Sequence, residues 1–281
     1  MQFHQSTSEL YVPDGSAAEA LAKTTHMAVG AHQDDIEIMA FHGALECFHR
    51  DDRGFVGVVV TNGSGSPRDD LYADYSDDRM RQVRRSEQKK AAAIGEYRAQ
   101  AFLDYPSSDV KDAFSHAVSE DLKKLFEAAR PEVVYTHNLA DKHDTHVAVA
   151  LRVIRAVREL PESARPHRLI GCEVWRGLDW LCDEDKLLMD VSAHQNLAAA
   201  LIAVFDSQIC GGKRYDLAAL GRRRANATFF ESHGVDVSDS LIFGLDLTPF
   251  VADTSLDPAE YVQSFIERFA AEVRDRISKM S

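Results

Sequence analysis

Short β-branched runs alternate with amphipathic stretches through the first 160 residues, and this alternation constrains the fold more than anything else in the chain. His26–Ala31 (HMAVGA), Phe55–Val60 (FVGVVV), Ala99–Leu103 and Val133–Thr136 read as strands. Between and after them, Ile36–His49, Arg79–Ile94, Ala113–Arg130 and Val147–Leu160 carry apolar residues at helical spacing, with Gly95, Pro131 and Pro161 as stops. Such a pattern predicts helices on both faces of a mostly parallel sheet, a Rossmann-like three-layer α/β/α fold. In such sheets ligands bind beyond the carboxyl ends of the strands. After residue 160 the pattern weakens. Leu169–Trp175 and Leu187–Val191 read as strands, and Ala193–Phe205 and Pro258–Lys279 as helices. The expectation is one domain over 1–281, with residues 1–160 as the core and 161–281 as a capping, pocket-wall portion.

The chain has 281 residues, enough for a large core, and 45% are hydrophobic against 27% charged, as in globular proteins. The net charge of −13 opposes wholesale binding to nucleic acid or to an anionic membrane, which needs Lys and Arg in excess. Cys47, Cys172, Cys182 and Cys210 form no CxxC pair and read as reduced thiols. The first twenty residues lack the basic start and apolar run of a secretory signal, and the longest apolar stretch, Leu197 to Phe205, is too short to span a bilayer. A cytoplasmic location is expected.

Two polar clusters fall at predicted strand ends. The first strand runs into Ala31-His32-Gln33-Asp34-Asp35, and the fourth into Thr136-His137, followed by Asp141-Lys142-His143-Asp144-Thr145-His146. His32, Asp35 and His146 supply two imidazoles and a carboxylate, a set that suits Zn²⁺ with one position left for water. His143 and His146, three apart near a helix start, can point into one crevice. Asp34 is a carboxylate not spent on the metal and can take a proton from water, while a cationic His143 can stabilise an oxyanion or protonate a leaving nitrogen. A single such cluster is more simply a capped helix start, with Asp34 or Asp35 as the cap. Two clusters at the same rim of one parallel sheet are harder to explain that way.

These motifs resemble the LmbE-like, or PIG-L, family of zinc-dependent N-acetylglucosaminyl deacetylases. Ala31-His32-Gln33-Asp34-Asp35-Ile36 is similar to that family's A-H-P-D-D-E, and His143-Asp144-Thr145-His146 matches the spacing of its H-P-D-H. Arg84-Arg85-Ser86-Glu87 through Ile94-Gly95 is similar to its R-x-x-E helix, and Asp206-Ser207-Gln208 is a weaker echo. The likeness runs over roughly residues 25 to 160. It implies zinc on His32, Asp35 and His146, Asp34 as general base, His143 as electrostatic or acid partner, and Arg84 as a contact to the sugar. Gln33 and Ile36 depart from the first motif at positions that are not ligands. Asp144 and Thr145 replace Pro-Asp, so the carboxylate that raises the pKa of His143 is expected to be Asp141 or Asp144. His137 is expected to stand behind the ligands, and Asp109 matches a family sugar contact only with a shifted register.

Other features have bland readings. Thr61-Asn62-Gly63-Ser64-Gly65-Ser66 lacks the full phosphate-loop patterns and reads as a pocket-rim loop. The basic runs Gly211-Gly212-Lys213-Arg214 and Arg222-Arg223-Arg224 read as solvated helix faces, with anion recognition by one arginine as the sharper alternative. Trp175 and Trp180 are more simply core residues than sugar platforms. Glu231 is a pocket candidate. The expected function is metal-dependent removal of an N-acetyl or other N-acyl group from an amino sugar or glycoconjugate, a small-molecule substrate. Fe²⁺, Co²⁺ or Ni²⁺ are alternatives to zinc at a His/Asp site. Competing readings are an amidase acting on a different amide such as a thiol-sugar conjugate, a non-catalytic metal-containing glycan-binding protein, and a nucleotide-binding Rossmann protein. The last lacks its glycine fingerprint. Homo-oligomer formation is left open by the sequence.

Overall fold

The structure is a computed structural model describing residues 1–281. In chain order its elements are β1 (Glu9–Tyr11), α1 (Ala17–Ala22), β2 (His26–Gly30), α2 (Asp35–Met39), α3 (Phe41–Cys47), β3 (Phe55–Thr61), α4 (Asp77–Ile94), β4 (Ala99–Tyr105), α5 (Ser107–Lys111) and α6 (Ala117–Ala129). There follow β5 (Val133–His137), α7 (Asp144–Arg158), β6 (Arg168–Cys172), β7 (Lys186–Asp190), α8 (Gln195–Ala203), α9 (Asp206–Ile209), α10 (Tyr215–Phe229), β8 (Leu241–Asp246), α11 (Pro249–Ala252) and α12 (Pro258–Met280).

All eight strands share one sheet in the order β1-β4-β3-β2-β5-β6-β8-β7. The five from β4 to β6 are parallel, while β1 and β8 pair antiparallel with their neighbours. From β2 the chain steps outward through β3 to β4, then returns to lay β5 on the other side of β2. That reversal opens a crevice at the carboxyl ends of β2 and β5. The expected Rossmann-like architecture is therefore present. No helix is long and apolar enough to cross a membrane, and all four cysteines are free thiols.

Because both faces of the sheet are covered, β2 and β3 are buried along their whole length and read as continuous apolar runs. Their side chains still alternate between two cores. Met27, Val29, Val56 and Val58 join a cluster with Leu122 and Phe126 of α6 and Val149 and Val153 of α7. Ala28, Phe55 and Val59 join another with Ile36 of α2, Phe41 of α3, Ala91 of α4 and Leu201 of α8.

Three differences from the sequence reading have physical causes. The helix expected over Ile36–His49 breaks at Ala40 into α2 and α3. The second piece lies tight on the sheet, where a Cβ on Gly43 would come within 2.5 Å of the Tyr135 ring. Second, the portion after residue 160 does more than cap: β6, β7 and β8 extend the sheet itself. Third, β1, α1, α5, α9, α10, β8 and α11 have no counterpart in the sequence reading. β1, α1 and α5 have 3, 6 and 5 residues, too few to establish a period. β8 (LIFGLD) is one apolar run without alternation because it is an inner strand, buried on both faces.

His26, at the start of β2, is buried between Thr25 Oγ1 at 2.9 Å from its Nδ1 and the stacked Tyr135 ring. Burial, with Arg53 adding to it, depresses its pKa to about 4, against 6.5 for a free imidazole. The folded state thus resists protonation while the unfolded chain accepts it. This stability is complete above pH 6.5 and is lost as pH falls towards 4, at up to about 1.4 kcal/mol per pH unit. His26→Gln should flatten that loss, read as urea midpoints at pH 7 and pH 5. An identical pH dependence in the variant would rule out His26 as a contributor.

Candidate functional site

A cleft of about 530 Å³ opens at the carboxyl ends of the parallel strands. Its walls come from the β2–α2 turn, the Asn62–Pro67 loop after β3, the start of α5 after β4, His143 and Thr145 after β5, Trp175 after β6, and the α9–α10 connection. The glycine-containing loop is therefore a pocket rim, as expected. Gly63 has φ +70°, and a Cβ there would collide with Gln33 Oε1, so this turn needs glycine.

At the floor, His32 Nδ1, Asp35 Oδ2 and His146 Nε2 form a triangle. The two nitrogens are 3.2 Å apart, and the oxygen lies 3.2 Å from His32 and 3.4 Å from His146. Three candidate ligand atoms converge within 3.4 Å of one another, and ligand atoms in a tetrahedron around Zn²⁺ stand roughly 3.3–3.5 Å apart. These residues fit a small divalent cation. Burial lowers the His32 pKa to about 4, which keeps its ring neutral, whereas Asp35 and Asp141 raise that of His146 against its burial. The Asp35 carboxylate also accepts the His32 backbone N–H at 2.7 Å, and this turn fixes both residues together.

Two neighbouring imidazoles complete the cluster. His137 Nε2 accepts the Ala31 backbone N–H at 2.8 Å, which occupies its lone pair although Asp35 and His146 are also close. Its ring stacks on His146 at 3.9 Å and so orients that side chain. His143 also stacks on His146, at 4.6 Å, and meets the His32 ring edge-on at 5.0 Å.

The expectation about the orienting carboxylate is corrected. Asp141 Oδ1 accepts only the backbone N–H of His143, while Oδ2 faces His146 Nδ1 at 3.6 Å and accepts the backbone N–H of Trp175 at 3.1 Å. Asp144 is exposed at the start of α7. No carboxylate is bonded to the His143 ring, whose Nδ1 is buried without a partner. Burial and the adjacent His146 push the pKa of His143 down, so the ring is neutral around pH 7 instead of cationic.

Asp34 stands beside the triangle and outside it. It occupies the N-cap position of α2 yet makes no capping bond, and its backbone adopts φ +94°, a left-handed conformation costing of order 1–3 kcal/mol. Its N–H donates to Gln88 Oε1, and its carboxylate lies 3.7 Å from the Arg84 guanidinium, which also donates to Gln33 O and Ser66 Oγ. Burial raises the Asp34 pKa well above a free carboxyl, with Arg84 opposing. Arg84 thus lines the cleft but is committed to Asp34 and to the rim loop.

Sequence reasoning missed what holds this arrangement. Gln88 Nε2 and the Tyr97 hydroxyl both donate to Glu37 Oε1, and burial raises the Glu37 pKa to about 7. A buried glutamate within an amphipathic helix carries no signal that separates it from a surface one. The run Arg222-Arg223-Arg224 is only partly solvated: Arg223 is buried and donates to the Glu37 and Ile38 carbonyls that end α2. Trp175 lines the cleft, whereas Trp180 packs on the core. Glu231 is exposed and Asp109 bonds Ser108; neither lines the cleft.

Residues 27–157 match the profile of the PIG-L family, described as GlcNAc-PI de-N-acetylase. None of the curated proteins matches the sequence. Among solved structures, N,N'-diacetylchitobiose deacetylase from Pyrococcus horikoshii is similar at 18% identity and TM-score 0.59, over 78% of this chain and 83% of that one. A conserved protein from Thermus thermophilus is similar at 20% identity and TM-score 0.59, over 80% and 95%. The 4-carboxy-2-hydroxymuconate hydratase from Pseudomonas putida is similar at 16% identity and TM-score 0.60, over 80% and 96%. At these identities the likeness is one of fold.

Glu87, three residues after Arg84, accepts both the N–H and the hydroxyl of Ser207 at 2.8 and 2.6 Å, which ties α9 to α4 behind the cleft. Ser207→Ala leaves one oxygen of a buried carboxylate without its donor and should cost about 1–3 kcal/mol in urea unfolding. The Glu87→Ala, Ser207→Ala double variant should cost less than the two single changes added together. Strict additivity would show that this contact is not an energetic link.

Proposed function

We propose, for a chain that carries a PIG-L family domain over residues 27–157, that it is a metal-dependent hydrolase removing an N-acetyl group from an amino sugar or glycoconjugate. One observation carries the reading: a cation-sized triangle of His32, Asp35 and His146 with a second carboxylate, Asp34, left unspent beside it. A pure metal-dependent binding site has no need of Asp34. The family match supports the acyl-amide substrate, and the free thiols are consistent with a cytoplasmic location.

In this reading His32 Nδ1, Asp35 Oδ2 and His146 Nε2 hold the ion, with Zn²⁺ the cation their chemistry suits best. Bound there, it would supply Lewis acidity and lower the pKa of a water nucleophile to about 7. Asp34 receives the proton that the water loses as it attacks the amide carbon. Burial raises its pKa, which makes it a stronger base than a free carboxylate, and the Arg84 guanidinium 3.7 Å away opposes that rise and holds the carboxylate in place. His143 is a neutral hydrogen-bond donor to the carbonyl oxygen as negative charge develops on it. Asp34 then returns its proton to the departing amine, which balances the hydrolysis. His137 and Asp141 hold the His146 ring from its face and its Nδ1 edge.

Two experiments test the parts separately. His32→Ala, Asp35→Ala and His146→Ala should each lose tightly held metal by elemental analysis, whereas Asp34→Asn should keep a full equivalent. Full zinc content in all three ligand variants would sink the assignment. On a panel of N-acetyl sugars assayed for acetate, Asp34→Asn should turn over roughly 10²–10⁴ more slowly, the usual worth of a positioned base. Normal turnover in a metal-replete Asp34→Asn protein would remove Asp34 from the chemistry.

A further inference from the structure

We propose that Trp175, flanked by the ammonium groups of Lys142 and Lys213, forms a subsite for an anionic substituent, a carboxylate or a phosphate, on the sugar. The inference deepens the deacetylase reading by naming the kind of amino sugar the cleft accepts, and it rests on that reading for the identity of the sugar.

Lys213 Nζ lies 5.3 Å and Lys142 Nζ 5.9 Å from the centre of the Trp175 ring. They reach it from separate segments, the α9–α10 connection and the loop before α7. Neither makes an ion pair, although the chain has a net charge of −13 and Lys89, Lys124 and Lys186 all have carboxylate partners. Attraction to an exposed aromatic face is worth only about 0.5–1 kcal/mol per cation, and two cations beside one ring repel each other. An anion placed between them reverses that repulsion.

The cleft offers these lysines no free carboxylate. Its two lining carboxylates are committed, Asp34 to Arg84 and Asp35 to the His32–His146 triangle, while Lys111 and Lys213 line it without partners. Arg84, Lys111 and Lys213 thus outnumber the lining carboxylates in a strongly acidic protein. Trp175 is also anchored to the reacting centre. Its backbone N–H donates to Asp141 Oδ2, the oxygen that faces His146, and its ring lies 6.3 Å from that of His143 at 26° between planes. Tyr215 braces the indole edge-on at 6.1 Å. A sugar ring lying on Trp175 with its acylamino group over the triangle would carry an acidic substituent to the two lysines.

The test uses metal-loaded protein with Trp180→Phe, so that Trp175 is the sole tryptophan of a chain that has two. Fluorescence titration would compare N-acetylglucosamine with its 1-phosphate, its 6-phosphate and N-acetylmuramic acid, which separates phosphate from carboxylate. At least one anionic sugar should bind about tenfold more tightly than the neutral one, the worth of two partly exposed charge pairs. That preference should shrink with added salt and collapse towards unity in Lys142→Ala, Lys213→Ala. Equal binding of neutral and anionic sugars, no binding of any of them, or a preference that survives loss of both lysines overturns the proposal. Acetate release is scored separately. Tight, lysine-dependent binding without acetate from any sugar would leave the subsite standing and remove the deacetylase reading. Acetate release with no anionic preference would do the reverse.

Discussion

Everything at the cleft depends on the parallel pairing of β2 with β5. His26 lies opposite Val133, and the register runs on through Ala28 and Tyr135 to the strand ends. It is locked there by two side-chain bonds, from Thr136 Oγ1 to the Val29 carbonyl and from the Ala31 N–H to His137 Nε2. His32 follows one strand and His146 opens the helix after the other, so atoms more than a hundred residues apart meet at 3.2 Å. Because side chains in a strand alternate faces, a slip of one residue would turn Met27 and Val29 into the opposite core and separate the two imidazoles. The apolar pattern of the core and the geometry of the site are thus one specification.

Around that seam the protein stores charge against its own solvation. Asp34, Asp35, Glu37, Arg84, Glu87 and Arg223 are all buried. All six have partners that hold them: Asp34 and Arg84 each other, Asp35 by the His32 N–H, Glu37 by Gln88 and Tyr97, Glu87 by Ser207, and Arg223 by the carbonyls that end α2. Removing one member of such a set leaves its partner buried and unpaired, which costs more than the pair contributes. The same framework supports the strained φ of Asp34, since α4 supplies both Arg84 to its carboxylate and Gln88 to its backbone N–H. Strain of this kind persists only where surroundings over-determine it.

Much of this was legible in the sequence because the informative signals were local. Strands buried on both faces read as unbroken β-branched runs, and the two polar clusters sat directly after such runs, so the strand-end rule put His32, Asp35 and His146 on one rim. What was not legible depended on contacts far apart in the chain. Asp141 lies two residues from His143, and proximity in sequence suggested a carboxylate for that ring. The turn before α7 instead aims it at His146 and at the Trp175 backbone, leaving His143 with a pKa pushed down. Arg223 read as part of a solvated run, and Glu37 carried no signal of its own, because their partners arrive from other elements. β8 is an apolar run of the same kind as β2 and β3, but it lies beyond residue 160, where the strand–helix alternation that identified those two fades.

The overall fold alone leaves the chemistry open, since this architecture is shared with one protein described as a deacetylase and another described as a hydratase. What this chain's own site offers lies in what its carboxylates are free to do. Asp35 is bonded to its own turn and converges with two imidazoles, so its lone pairs are directed at the centre of the triangle. Asp34, next to it in sequence, is turned away by the left-handed backbone and meets a guanidinium instead. A regular helical start would have pointed both side chains by the same rule and made the second either a ligand or a cap. The positive φ separates them, and with that separation one residue is available to ligate while its neighbour is available to carry a proton. In the proposed hydrolysis, in which a water must be both polarised and deprotonated, adjacent carboxylates with divided tasks would serve both needs.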